Sequence, residues 1–365
     1  MADFTHHADM VGSLLRPARL GTARDAWRAG TLSADELRAI EDAEIAALVT
    51  KQEAVGLSAV TDGEFRRDWW HLDFFNGMGG MGAAERARPK DFSGDGEMPP
   101  IPVVVGKVRH ARPIFVDAYR YLHECATRAL PKITMPGPGM ANLMGGPAVI
   151  SGEAYPDPAE FWDDLVTAYR AEVAELYAAG CRYIQMDDVG FAYLCDAEFR
   201  GQMAARGEDP DELVLRYRDA MNAVIADRPA DLIVTTHMCR GNFRSRWVAS
   251  GGYEPIAEPI FGGLDVDAFF LEFDDDRSGS FEPLRHLAPG KVAVLGLVTS
   301  KSPQLEDPAR LAQQIEEASQ YVPLDRLALS PQCGFSSSHH GNNLTEDDQW
   351  AKLRLVVEVA ADVWS

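Results

Sequence analysis

Eight short apolar runs rich in β-branched residues recur along this 365-residue chain, and a helical pattern follows most of them. They cover Asp9–Leu15, Leu57–Asp62, Lys132–Pro136, Arg182–Asp188, Leu232–His237, Ala268–Glu272, Lys291–Val298 and Arg326–Ser330. The runs are continuous rather than alternating, as in parallel strands covered by helices on both faces. The helical stretches carry their own punctuation. Ser33-Ala-Asp-Glu36 reads as a capping box opening a helix to about Val55, with Gly56 as its stop. Asp157-Pro158, Asp209-Pro210 and Asp307-Pro308 each set an N-cap before a first-turn proline, and Thr345 opens a final helix to about Val363. This alternation predicts an α/β fold, a (β/α)8 TIM barrel built by residues 1–365 as one unit.

Two stretches interrupt the alternation. Residues 66–112 are too long for a loop and read as an excursion inserted after the second strand, with Ile101–Arg109 suggesting a hairpin over the barrel top. Residues 242–263 are rich in glycine and aromatic side chains. Loops at the carboxyl face of such barrels build the active site, so both are candidate walls, with Trp69, Trp70 and Phe74 as a candidate aromatic surface.

Composition excludes several classes of function. A formal net charge of −21 argues against a nucleic-acid surface, which needs clustered Lys and Arg. No apolar run reaches the length of a membrane span, and the start lacks the basic-then-apolar layout of a signal peptide. Five cysteines at scattered positions fit a reducing cytoplasm better than a disulfide framework. Cys125 and Cys181 read as packing residues, while Cys195 follows a strand end and lies nearer a candidate site.

Four other residues fall where strands end: His237 and Cys239, two apart and so on one face of their strand, then Glu272 and Cys333. One imidazole, two thiolates and a carboxylate form a mixed N/S/O set that suits Zn2+ and not calcium or magnesium. The four are spread over three strands, unlike the clustered pairs of a structural zinc, and two cysteines with an exchangeable position suit a bound thiol made to ionise. Around them, Asp187 and Asp188 close the fourth strand, and Asp62 and Glu64 follow the second. These carboxylates are candidates to grip an α-ammonium group. Ser13, the backbone at Gly12 and Arg16, at the end of the first strand, are candidates to receive an α-carboxylate.

Read in order, Val11-Gly-Ser13, Gly63-Glu64, Ile184-Gln-Met-Asp-Asp188, His237-Met-Cys239, Leu271-Glu-Phe273 and Pro331-Gln-Cys-Gly334 resemble the catalytic carboxy-terminal barrel of the cobalamin-independent methionine synthases. The resemblance implies zinc on His237, Cys239, Glu272 and Cys333, and homocysteine contacts at Ser13, Glu64 and Asp187. It implies methyl transfer to a thiol, with Lys301 and Asp187 as catalytic residues. Three departures qualify it. The family's second, amino-terminal barrel has no counterpart in these residues. The Gly-Pro segment, Met135-Pro-Gly-Pro-Gly-Met-Ala-Asn142, lacks the family's Trp, and Ser300-Lys-Ser-Pro303 places Lys301 where a His is expected. The chain is more similar to short single-barrel relatives carrying His-x-Cys-Arg-Gly-Asn, whose alkyl donors vary. The expected partners are therefore a small-molecule thiol and a methyl or alkyl donor smaller than a polyglutamylated folate, or a methyl-carrier protein. Alkyl or epoxide transfer to another thiol cofactor, a uroporphyrinogen decarboxylase-like barrel and a zinc-stabilised binding barrel are the competing readings.

Overall fold

The structure is a computed structural model that describes residues 4–85 and 100–364. Among the described residues there are ten strands: β1 (Ala59–Val60), β2 (Gly79–Ala84), β3 (Ile101–Arg109), β4 (Leu130–Pro131), β5 (Ile133–Pro136), β6 (Tyr183–Asp187), β7 (Ile233–Met238), β8 (Ala268–Glu272), β9 (Val292–Val298) and β10 (Leu327–Pro331). Strands β5 to β10 form one parallel sheet in sequence order, and β1 pairs in parallel with β4. The Lys132 N–H donates to the Val60 carbonyl at 2.8 Å, joining β1 to the β5 side. On the other side, the amide of Asp9 bonds the Leu329 carbonyl and that of Leu329 bonds the His7 carbonyl, at 3.1 and 2.8 Å. Leu14 N–H donates to the Gly63 carbonyl at 3.1 Å. The ring is thereby closed, and the fold is the expected parallel α/β barrel.

The first expected strand, Asp9–Leu15, forms no strand, with only an isolated bridge at the preceding Ala8, and the second is reduced to two residues. Side chains have taken the place of the ladder. The carbonyl of Met10 accepts from Lys132 Nζ, that of Val11 from Gln185 Nε2 at 2.6 Å, and that of Gly12 from the Thr61 hydroxyl at 2.6 Å. Three successive carbonyls are thus satisfied from inside the barrel, leaving the backbone no need of a neighbouring strand.

The expected helix punctuation operates. Ser33 and Glu36 close a reciprocal capping box on helix Ala34–Val55, which ends at Gly56 with φ 101°. Asp157, Asp209 and Asp307 cap Pro158–Ala178, Pro210–Ile225 and Pro308–Ser319 through their side chains, and Thr345 with Asp348 caps Glu346–Val363. Between β8 and β9, two 3-10 turns, Asp276–Ser278 and Glu282–His286, replace the helix the alternation predicts. Gly279 and Pro283 punctuate that stretch.

Within the expected excursion at 66–112, residues 86–99 lie outside the described residues. The remainder contains an antiparallel pair, β2 with β3. It runs along the barrel flank against helix Pro158–Ala178. The buried Glu172 carboxylate there accepts from the amides of Ile114 and Phe115 at 2.9 and 2.8 Å and lies 2.8 Å from His110 Nε2. No helix among the described residues is long and apolar enough to cross a membrane.

The seam depends on one buried ion pair, Lys132 Nζ to Asp9 Oδ1 at 2.9 Å with both side chains fully buried. Asp9→Asn removes the anion and leaves the ammonium uncompensated, so a loss of about 3–5 kcal/mol in chemical unfolding is expected. Unchanged stability would show that the pair is not what holds the seam.

Candidate metal and substrate site

Parallel strands of a barrel all end on one face, so residues at their carboxyl ends converge whatever their separation in sequence. His237 lies in β7, Cys239 one residue beyond it, and Cys333 two residues beyond β10. All three are buried, and one ligand atom from each lies within 4.8 Å of the others. The two sulfurs are 3.3 Å apart. His237 Nδ1 lies 3.3 Å from the Phe270 carbonyl, and donation there leaves Nε2 its lone pair in the neutral ring; burial lowers the imidazole, and Cys333, Asp187 and Glu272 more than restore it. That Nε2 is buried and has no hydrogen-bond partner. A buried imidazole nitrogen without a partner, facing two sulfurs, is a donor set that suits a borderline-soft cation. The hydrogen bond from Cys239 draws the Cys333 thiol well below its ordinary value, against burial and with help from His237.

The fourth expected ligand, Glu272, ends β8 but is turned to cations. Its Oε1 accepts from Lys301 Nζ at 3.1 Å and from Gln332 Nε2, and its Oε2 accepts from the Arg240 amide at 2.5 Å. Arg277 stands 3.5 Å away. Burial raises the Glu272 carboxyl, but Lys301, Arg240 and Arg277 outweigh it and hold the group below its usual range. The Lys301 side chain is largely covered. Desolvation lowers it, and Glu272 and Asp274 more than restore it, so the ammonium stays charged. Sequence reasoning missed Gln332, Arg240 and Arg277. The first two adjoin the cysteines, a signal that was present, whereas Arg277 carried none.

The expected substrate residues separate into two groups. Asp187 and Glu64 face the interior together. Asp187 is raised to about 7, by burial above all and by Glu64 as well, against the opposing pull of His237. Gln185 Nε2 donates to Asp187 Oδ1 at 2.7 Å. Glu64 accepts from the Thr134 hydroxyl at 2.7 Å through Oε1, while its buried Oε2 has no partner. Glu64 also holds a left-handed φ of 60°, a strained conformation for a non-glycine side chain of the kind that clusters at functional sites. Ser13 is buried beside the turn after Cys333, its Oγ accepting from the Ser336 amide at 3.3 Å.

Asp188 and Arg16 point elsewhere. Successive strand residues face opposite ways, and the Asp188 carboxylate caps helix Val189–Tyr193 from the far side, accepting from the Gly190 amide at 2.8 Å. Its other oxygen packs on Gly137 and Gly139, where an added Cβ would come within 2.5 and 3.2 Å of it. The Arg16 guanidinium ties loops together, donating to the carbonyls of Ser336, Ser338, Glu64 and Arg67 at 2.9–3.0 Å. Only its Nε lacks a partner. Of the candidate aromatic wall, Phe74 is fully buried in the core and Trp69 and Trp70 are partly exposed. Cys195 is buried in the same core as Cys239, its Sγ bonding the Phe191 carbonyl.

Residues 7–362 match the family described as the cobalamin-independent synthase catalytic domain. The chain belongs to that family. The Bacillus subtilis protein YxjH, itself uncharacterized, is 45% identical over 358 residues, covering 98% of this chain and 94% of YxjH. The Bacillus velezensis 5-methyltetrahydropteroyltriglutamate–homocysteine methyltransferase is 24% identical over 354 residues, and there the chain spans 42% of the relative's length. Among solved structures of the family, a Listeria monocytogenes protein described as a candidate vitamin-B12-independent methionine synthase superposes with a TM-score of 0.80. It shares 37% identity and covers 100% of this chain and 99% of its own.

The turn after Cys333 is closely fitted. A Cβ at Gly334 would lie 2.0 Å from Ser13 Oγ. Gly334→Ala is expected to push the first and last loops apart and cost about 1–3 kcal/mol. Thermal unfolding checks this, and an unchanged midpoint would show that the two loops separate freely.

Proposed function

We propose that this chain is a zinc-dependent methyltransferase that alkylates a thiol, homocysteine, to give methionine. The observation that carries the reading is the partnerless His237 Nε2 buried beside the Cys239 and Cys333 sulfurs. Zinc held by His237, Cys239 and Cys333, with Glu272 as the fourth donor, would supply the Lewis acidity that keeps a bound thiol ionised at neutral pH. The rest falls to the chain's own side chains. The free Oε2 of Glu64 and the Asp187 carboxylate are suited to an α-ammonium group, and an arriving cation would bring Asp187 down from about 7 to its ionised form. Ser13 and the neighbouring backbone are suited to the α-carboxylate. Lys301 holds Glu272 and stays protonated, so it is available to assist an oxygen leaving group if the donor has one. Burial of Ser13, Glu64, Asp187 and the four candidate ligands excludes water, which strengthens each interaction and protects the thiolate.

Family membership supports methyl transfer, and the methyltransferase from Bacillus velezensis names homocysteine as its own acceptor. The purified protein is expected to carry about one zinc per chain. Cys239→Ser and Cys333→Ser should each lose the metal and the activity while far-UV circular dichroism stays native. Metal-free protein as isolated, or variants retaining full occupancy by elemental analysis, would sink the reading. Asp187→Asn and Glu64→Gln should each weaken homocysteine binding about 30-fold, on the order of 2 kcal/mol, with zinc content unchanged. Calorimetric titration with homocysteine decides this, and undiminished affinity in both variants would point instead to a thiol without an amino group.

A further inference from the structure

Glu64 is the candidate contact for an α-ammonium group, yet a side chain from another part of the barrel decides which of its oxygens is free. Thr134, the one hydroxyl residue of β5, stands two residues after Lys132 and so on the same inward face. Its hydroxyl lies between two charged groups. Arg67 Nη1 donates to Thr134 Oγ1 at 3.1 Å, and Oγ1 donates to Glu64 Oε1 at 2.7 Å. The direction of this relay is forced: a guanidinium has donors only, so the hydroxyl accepts from Arg67 and its single proton goes to the carboxylate. All three side chains are buried.

The hydroxyl has little freedom to turn. Thr134 is β-branched, and its methyl packs on Gly12, where an added Cβ would lie 2.5 Å from Cγ2. Arg67 is fixed as well, with Nη2 donating to the Thr134 carbonyl at 2.7 Å and the guanidinium lying 4.1 Å from the Phe115 ring centroid. The strained turn that carries Glu64 is held from its other side. Arg16 Nη2 donates to the carbonyls of Glu64 and Arg67 at 2.9 and 3.0 Å, and Arg24 donates to those of Phe65 and Arg67. Backbone and carboxylate are thus both placed, and the oxygen left over is Oε2, buried without a partner.

We infer that Thr134 is the positioning residue for Glu64 and thereby sets the preference for a thiol that carries an ammonium group. The inference rests on the proposed binding of homocysteine and deepens it. Arg67 Nη1 stands 3.5 Å from Glu64 Oε1, longer than a charge-assisted hydrogen bond, because the Thr134 hydroxyl is shared between them. Without that hydroxyl the guanidinium can close on the carboxylate as a direct pair. Such pairs readily engage both oxygens, which would withdraw Oε2 from the site. With Thr134 in place, a neutral donor holds one oxygen and the other keeps its lone pairs for an incoming cation. Thr134 acts through Glu64 and not by contact with the thiol.

Calorimetry on the zinc-loaded protein tests this with homocysteine and 4-sulfanylbutanoate, which share the thiol and the carboxylate and differ in the ammonium group. The native protein is expected to bind homocysteine the tighter. Thr134→Val should weaken homocysteine about tenfold and leave 4-sulfanylbutanoate unchanged, with native zinc content. Thr134→Ser, which restores the hydroxyl, should recover most of the preference. In a Glu64→Gln background Thr134→Val should have no further effect, because the group it positions has lost its charge. Arg67→Lys cannot hold the hydroxyl and carbonyl of Thr134 together, so it should lower the preference in the same direction and serves where the valine variant does not fold. Equal weakening of both thiols, an undiminished preference in Thr134→Val, or a native protein that binds the two alike would overturn the role. Thioether formation is read separately by mass detection. A Thr134-dependent ammonium preference with no methyl transfer to either thiol would leave the positioning role standing and remove the methyltransferase reading; methyl transfer to homocysteine with the preference intact in Thr134→Val would do the reverse.

Discussion

An ammonium group inside the barrel has to be compensated, and the way Lys132 is compensated organises the rest of the molecule. Removing such a charge from water costs several kcal/mol unless hydrogen bonds and an opposite charge replace the lost hydration. Here Asp9, the Met10 carbonyl and Gln185 surround Nζ, and the faces of Tyr183 and Phe270 lie 5.0 and 4.7 Å from it. Burial lowers the lysine and Asp9 offsets part of that. The first segment is thereby fixed against the barrel interior with hardly any strand pairing. Gln185 extends the same network to the Asp187 carboxylate, so the interior that closes the ring also orients part of the candidate site.

Much of this architecture was legible because it depends on local chemistry. Apolar runs for β5 to β10 mark strands whose two faces are both covered, and five capped helix starts fell where the cap residues put them. The first strand misled because hydrophobic patterning registers burial and not pairing. Asp9–Leu15 is buried for most of its length, but side chains distant in sequence satisfy its carbonyls. The absent helix after β8 had a visible cause in Gly279 and Pro283, outweighed in the reading by the regularity of the other repeats.

The candidate site divides in the same way. Parity along a strand puts His237 and Cys239 on one face, and the convergence of strand ends brings in Cys333. Parity also argues against pairing Asp187 with Asp188, and the structure turns Asp188 outward to cap a helix. The convergence of cations on Glu272 was only partly legible: Lys301 and Arg240 lie beside motifs already singled out, whereas Arg277 reaches the carboxylate from a loop that carries no signal. A carboxylate held by that much positive charge is ionised despite complete burial, and it needs little adjustment of protonation to act as a ligand.

The contact between Ser13 and the turn after Cys333 joins backbone segments 323 residues apart at its most distant hydrogen bond. Loop-closure entropy of that size must be met before either segment gains anything from the other. The two halves of the pocket therefore come into register only once nearly the whole chain has been synthesised and the ring has shut. A nascent chain stalled before β10 would display His237 and Cys239 without Cys333 beside them. The candidate site in this molecule is a property of the closed ring as a whole.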